Sequence, residues 1–101
     1  MATVSKALFR GAATTNTATT LYTVPSSTST VVTNIVVTNT AGASGTFTIA
    51  LNGTSIATTV TVGAYDSTSI DLKQVLATTN TITGGASATT INFHISGVEI
   101  A

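Results

Sequence analysis

Between residues 46 and 51 the chain alternates cleanly: Phe47, Ile49 and Leu51 are apolar, while Thr46, Thr48 and Ala50 are polar or small. Side chains of a strand point to opposite faces in turn, so this run predicts a strand with one buried face. Asn52-Gly53 follows, the dipeptide suited to a two-residue type I′ turn because both central positions take positive φ. The return run, 54–62, is read with Ile56, Val60 and Val62 inward. A β-hairpin is therefore expected over 46–62.

The stretch 21–39 carries a second pair of strands. A run at 20–24, with Tyr22 and Val24 on one face, ends at Pro25, and Ser and Thr fill the turn to Thr30. Residues 30–39 are apolar at Val31, Ile35 and Val37 and also at Val32 and Val36. A strand apolar on both faces is expected to be covered on both, under a loop or at a subunit contact. Residues 67–72 form a short strand with Ile70 and Leu72 inward, and KQVLATTN at 73–80 breaks the alternation, predicting one helical turn or a crossing loop. A strand around Ile82 leads to GGASA at 84–88, read as a flexible tip. The last strand, 89–100, sets Ile91, Phe93 and Ile95 toward the core.

Ahead of these, residues 2–10 are read as an edge strand or an arm anchored by Leu8 and Phe9, and 11–20 as an ordered threonine-rich loop. The division is thus 1–20, an arm or edge segment with its loop, and 21–101, a β-sandwich domain. Seven or eight short strands separated by turn signals predict an all-β fold, a single antiparallel sandwich of jelly-roll or immunoglobulin-like type.

Composition narrows the function classes. A 101-residue chain is one small domain, and such domains gain stability from disulfides, metals or partner subunits. Cysteine is absent, and three acidic residues with one histidine make a poor metal cage, which leaves subunits. Three basic residues (Lys6, Arg10, Lys73) balance three acidic ones (Asp66, Asp71, Glu99). No clustered cations exist to neutralise nucleic-acid phosphates or to hold an anionic membrane. No segment has the length of a membrane-spanning helix, and no apolar run follows Lys6 and Arg10 as a secretion signal requires.

Candidate chemistry is sparse. His94 lies beside Asn92 and Ser96 on the outer face of its strand and reads as a structural residue. Asp66 and Asp71 flank a strand without a base, a nucleophile or an oxyanion donor beside them; Asp66 is expected to hold its turn through local amides. Gly84-Gly85 lacks the Lys-Ser/Thr of a phosphate loop. Asn52-Gly53-Thr54 is formally a glycosylation triplet, for which the hairpin turn is sufficient explanation. The pairs Thr46/Thr48, Thr59/Thr61 and Thr81/Thr83 are spaced too unevenly for a regular ice-binding ladder. No catalytic, cofactor-binding or metal-ligating residue is assigned, and the chain is not read as an enzyme.

L-Y-T-V-P at 21–25, V-V-T-N-I-V-V-T-N-T at 31–40, T-F-T-I-A-L-N-G at 46–53 and S-G-V-E-I at 96–100 together resemble small all-β virion proteins of tailed bacteriophages. That family includes head decoration, head fibre and minor tail proteins, and the resemblance runs from about residue 21 to the end. It implies a virion structural protein, expected first as a capsid decoration (cement) protein, and the missing secretion signal fits synthesis in the host cytoplasm and release by lysis. The expected partner is the major capsid protein, with tail or fibre proteins as the alternative, and self-association as a homotrimer is expected. In the alternative, a tail, baseplate or head-fibre component, loop 84–88 would face a host glycan. The family implies no active-site residues; no cofactor is assigned, and the charge balance leaves no nucleic-acid or membrane partner expected.

Overall fold

The computed structural model describes residues 3–101. Eight strands follow one another: β1 (Thr3–Ala12), β2 (Thr20–Thr23), β3 (Ser29–Asn39), β4 (Gly45–Leu51), β5 (Thr54–Val62), β6 (Ser67–Leu76), β7 (Thr81–Ala86) and β8 (Ile91–Ile100). They form two four-stranded sheets, a first in the order β1-β8-β3-β6 and a second in the order β2-β7-β4-β5. Every pairing is antiparallel. First pairs with eighth, second with seventh, third with sixth and fourth with fifth, as when one long hairpin is wrapped into two layers. That order is a jelly roll, and it decides between the two sandwich types expected from the sequence.

The core lies between the sheets. Ile35 and Val37 of β3 and Ile91, Phe93 and Ile95 of β8 face Phe47, Ile49 and Ile82 of the second sheet, all essentially buried. Phe47 and Phe93 meet across the layers edge to face, with centroids 6.2 Å apart and planes at 69°. The body is elongated, 46 × 21 × 18 Å.

The β4–β5 hairpin closes as expected, with φ of 47° at Asn52 and 82° at Gly53. Its return strand differs. Register shifts on either side of Ile49 bring Ala57 opposite it, so Ala57 is buried while Ile56 stands 39 % exposed. Val60 pairs with Phe47 but sits on the sheet edge and stays 38 % exposed; Val62 is buried. Thr59 takes the bulge, with φ at 50° and its amide bonded to Thr48 Oγ1 at 3.0 Å.

The two-faced pattern of β3 is a phase change. Thr30 and Val32 point inward, the register slips at Thr33, and Ile35, Val37 and Asn39 then take the buried positions. Val31 and Val36 lie half-buried on the outer face. The helical turn expected from residue 73 is instead strand: Gln74, Val75 and Leu76 pair with Val32, Val31 and Thr30, and cross-strand pairing overrides the weak helix preference of Lys, Gln and Leu. The chain turns only at 77–80, where Asn80 Oδ1 accepts from the Ala77 amide at 2.9 Å.

The expected flexible tip at 84–88 is also corrected. Gly84, Gly85 and Ala86 are buried in β7, opposite Ile49, Thr48 and Phe47 of β4. Glycine is needed there for close approach. A Cβ on Gly84 would stand 2.7 Å from Thr48 O, and one on Gly85 would strike the carbonyl of Asn16. Loop 13–19 therefore lies across β7, held by Ala86 N–H to Thr14 O (2.8 Å) and Gly84 N–H to Thr19 O (2.9 Å). β1, from the segment read as edge strand or arm, pairs along its length with β8 and buries Leu8 at a bulge. Met1 and Ala2 of that segment lie outside the described residues.

Candidate functional site

Polar side chains inside a sandwich are costly unless bonded, so they are the first place to look for chemistry. Asn39 continues the inward phase of β3 and is 1 % exposed. Its Nδ2 donates to the carbonyls of Ala43 (2.8 Å), Gly63 (3.2 Å) and Val62 (3.3 Å), and its Oδ1 accepts from Ala41 N–H at 3.0 Å. One side chain thereby ties the β3–β4 and β5–β6 connections together. Every polar atom of this amide is engaged, so it is a structural hub.

A second polar group closes the edge where β1 and β2 lie on opposite layers. Tyr22 of β2 donates its hydroxyl to Glu99 Oε2 of β8 at 2.5 Å and lies 2.9 Å from Thr30 Oγ1 of β3. Lys6 of β1 stands 3.4 Å from both Glu99 oxygens. The Tyr22 hydroxyl, and secondarily Lys6, hold the Glu99 carboxyl below its usual range against the opposing effect of burial. Burial, and then the bond to Glu99, push the Tyr22 phenol above its usual value.

The signs fix a pH window. A lowered carboxyl contributes stability above the unfolded glutamate pKa, near 4.5, and loses it as pH falls through the folded value. A raised phenol contributes stability below the unfolded tyrosine pKa, near 10.0, and loses it as pH rises through the folded value. Tyr22→Phe is expected to cost about 1 kcal/mol at neutral pH, because the carboxylate keeps some solvent and Lys6. Thermal melts across pH should show the variant losing less stability than the parent on both limbs; parallel curves would show that the clamp is inert.

The residues singled out by sequence do not converge. His94 is half-buried on the outer face of the first sheet, between Arg10 and Val36 on the neighbouring strands. Asp66 accepts from the Ser67 amide at 2.8 Å and holds its turn. Asp71 accepts from Asn34 Nδ2 at 3.1 Å on the outer face. Among the described residues no three metal-ligating side chains gather.

The distribution of charge is the more informative feature. All six formally charged side chains lie on the first sheet or in the turn entering β6; β2, β7, β4 and β5 contain none. With Phe47, Ile49, Leu51 and Ile82 inward, the outer face of the second sheet is built from Thr46, Thr48, Thr61, Thr81, Thr83 and their neighbours. Threonine suits a half-exposed pleated face, and its methyl and hydroxyl lose little on desolvation compared with an ion. The threonine pairs are visible in the sequence, but the shared uncharged face of Thr46, Thr48, Thr61, Thr81 and Thr83 is not, since strand order decides it.

Compared with known proteins, the chain matches no family model and no curated protein.

Proposed function

We propose that the protein is a structural component of a bacteriophage virion, a capsid decoration (cement) protein that binds the outer face of the major capsid lattice and stabilises the particle. The observation that carries this reading is the uncharged threonine face of the second sheet. The centres of protein–protein interfaces are depleted in charge, and the strands of this layer carry none. The resemblance of residues 21–100 to phage virion proteins supports the same reading, as does a jelly-roll order, although fold alone does not fix function. Association of several copies belongs to the proposal, since a small cysteine-free domain gains stability from neighbours.

The surface can be tested without touching the core. Thr81→Glu and Thr83→Lys place charge on the proposed face at half-buried, outward positions. With emptied, expanded capsids stripped of this protein, the parent chain is expected to co-sediment and to raise their heat resistance. Each variant should retain its own melting transition within a few degrees and lose co-sedimentation at least tenfold. Equal binding by parent and variants would contradict the assignment of this face.

A further inference from the structure

Three of the five large apolar side chains that stand exposed among the described residues, Ile56, Val60 and Val75, lie along the sandwich edge formed by β5 and β6. Between these strands a cleft of about 270 Å³ is lined by Leu51, Ile56, Val75 and Leu76 with Gln74 and Asn80. The opposite edge is bridged by Tyr22, Glu99 and Lys6. The two edges of one sandwich are thus finished differently, and the β5–β6 edge is the apolar, unbridged one.

β6 is the last strand of its sheet, so the backbone groups on its far side lack a strand partner. Asn39 donates its N–H to Asp66 O at 2.8 Å, which sets the phase of the ladder. Thr68 and Ile70 then turn their amides and carbonyls to β3, while Ser67, Ser69 and Asp71 turn theirs outward. Exposure alternates in step from Ser67 to Lys73, with the odd positions exposed.

We propose that this edge pairs with the same edge of a second copy of the chain, two β6 strands running antiparallel about a two-fold axis at Leu72. The argument is charge complementarity. Asp71 and Lys73 flank Leu72 on the outer face of the strand, and neither takes part in an ion pair within the chain, where Lys6–Glu99 is the one such pair among the described residues. In an antiparallel pair centred on Leu72, Asp71 of each copy stands opposite Lys73 of the other, so the match occurs twice. Moving the axis to Asp71 or to Lys73 sets like charges opposite each other, which disfavours the neighbouring registers. The pairing extends the first sheet from four strands to eight and brings two copies of the β5–β6 apolar edge together. It does not depend on the virion reading, and it gives the association of copies a two-fold form in place of the three-fold one expected from the sequence.

Sedimentation equilibrium of the full chain over a wide concentration range tests this, with Asp71→Lys, Lys73→Asp and the double exchange Asp71→Lys/Lys73→Asp. The parent is expected to form dimers. Each single variant should remain folded by circular dichroism and lose the dimer, because like charges then face each other twice. An equimolar mixture of the two single variants should regain a dimer, as should the double exchange, which preserves the complementarity. A parent that is monomeric at every concentration or forms trimers overturns the proposal. So do single variants that dimerise like the parent, or a mixture of folded single variants that stays monomeric.

Discussion

Asn39→Leu is expected to lower stability by about 3 kcal/mol, because it removes the amide nitrogen that donates to the carbonyls of Ala43, Val62 and Gly63 and the acceptor of the Ala41 amide. Each buried polar group left without a partner costs roughly 1–3 kcal/mol, partly relieved where the loops can admit water. In a domain of this size the loss corresponds to a fall of roughly 15 °C in Tm. The variant keeps the approximate volume of the side chain, so the effect isolates bonding from packing. Asn39→Asp preserves the acceptor for Ala41 but turns the donor into an oxygen facing three carbonyls. It is expected to be more harmful at pH 7 than at pH 4, where the carboxyl holds a proton. Chemical denaturation at both pH values measures this. Costs below 0.5 kcal/mol for Asn39→Leu would show that the connections do not depend on this side chain.

The second large effect is expected at Gly85. Its φ is not in the left-handed region, so alanine is conformationally acceptable there; what is missing is space. A Cβ would meet the Asn16 carbonyl and come within 2.9 Å of Thr14 O, both backbone atoms of the loop lying across β7. Gly85→Ala is therefore expected to cost about 2–3 kcal/mol, as overpacked sites do. The sign is what matters. At an exposed, flexible tip the same change would stabilise by roughly 0.4–1 kcal/mol through the unfolded state. A urea titration of the variant separates the two, and a stabilised Gly85→Ala would show that loop 13–19 does not pack on this strand.

These two sites also show how far the fold is legible in the sequence. Alternation located β4, the Asn52-Gly53 turn and the inward Ile91, Phe93 and Ile95 because each is a regular run with a local turn signal. The same alternation, carried two residues past Val37 and four past Ile95, also points Asn39 and Glu99 inward. An inward amide and an inward carboxylate each imply a bonding partner, and that was the signal for both polar groups. Their partners were not legible: Tyr22 and Glu99 are 77 residues apart and meet only through strand order.

Phase breaks were hidden for a related reason. The slips at Thr33 and Thr59 are properties of a strand pair, so Val31 and Val32 read as two apolar faces and Ile56 read as core when Ala57 is. Gly84-Gly85 read as a turn because glycine permits turns, whereas here its lack of a side chain lets a loop approach. The uncharged face of the second sheet could not be seen before the strands were ordered. Once they are ordered, a sequence with only six charges proves to keep all of them on one layer and the turn leading into it.

That segregation underlies the proposal that this domain covers the surface of a virion. The most direct test is the number of copies in purified virions, counted by quantitative mass spectrometry against the major capsid protein. A decoration protein following the symmetry of the lattice is predicted to appear in a fixed, near-stoichiometric ratio to that protein. A handful of copies per particle would move it to the tail or a fibre, and its absence from purified particles would contradict the account.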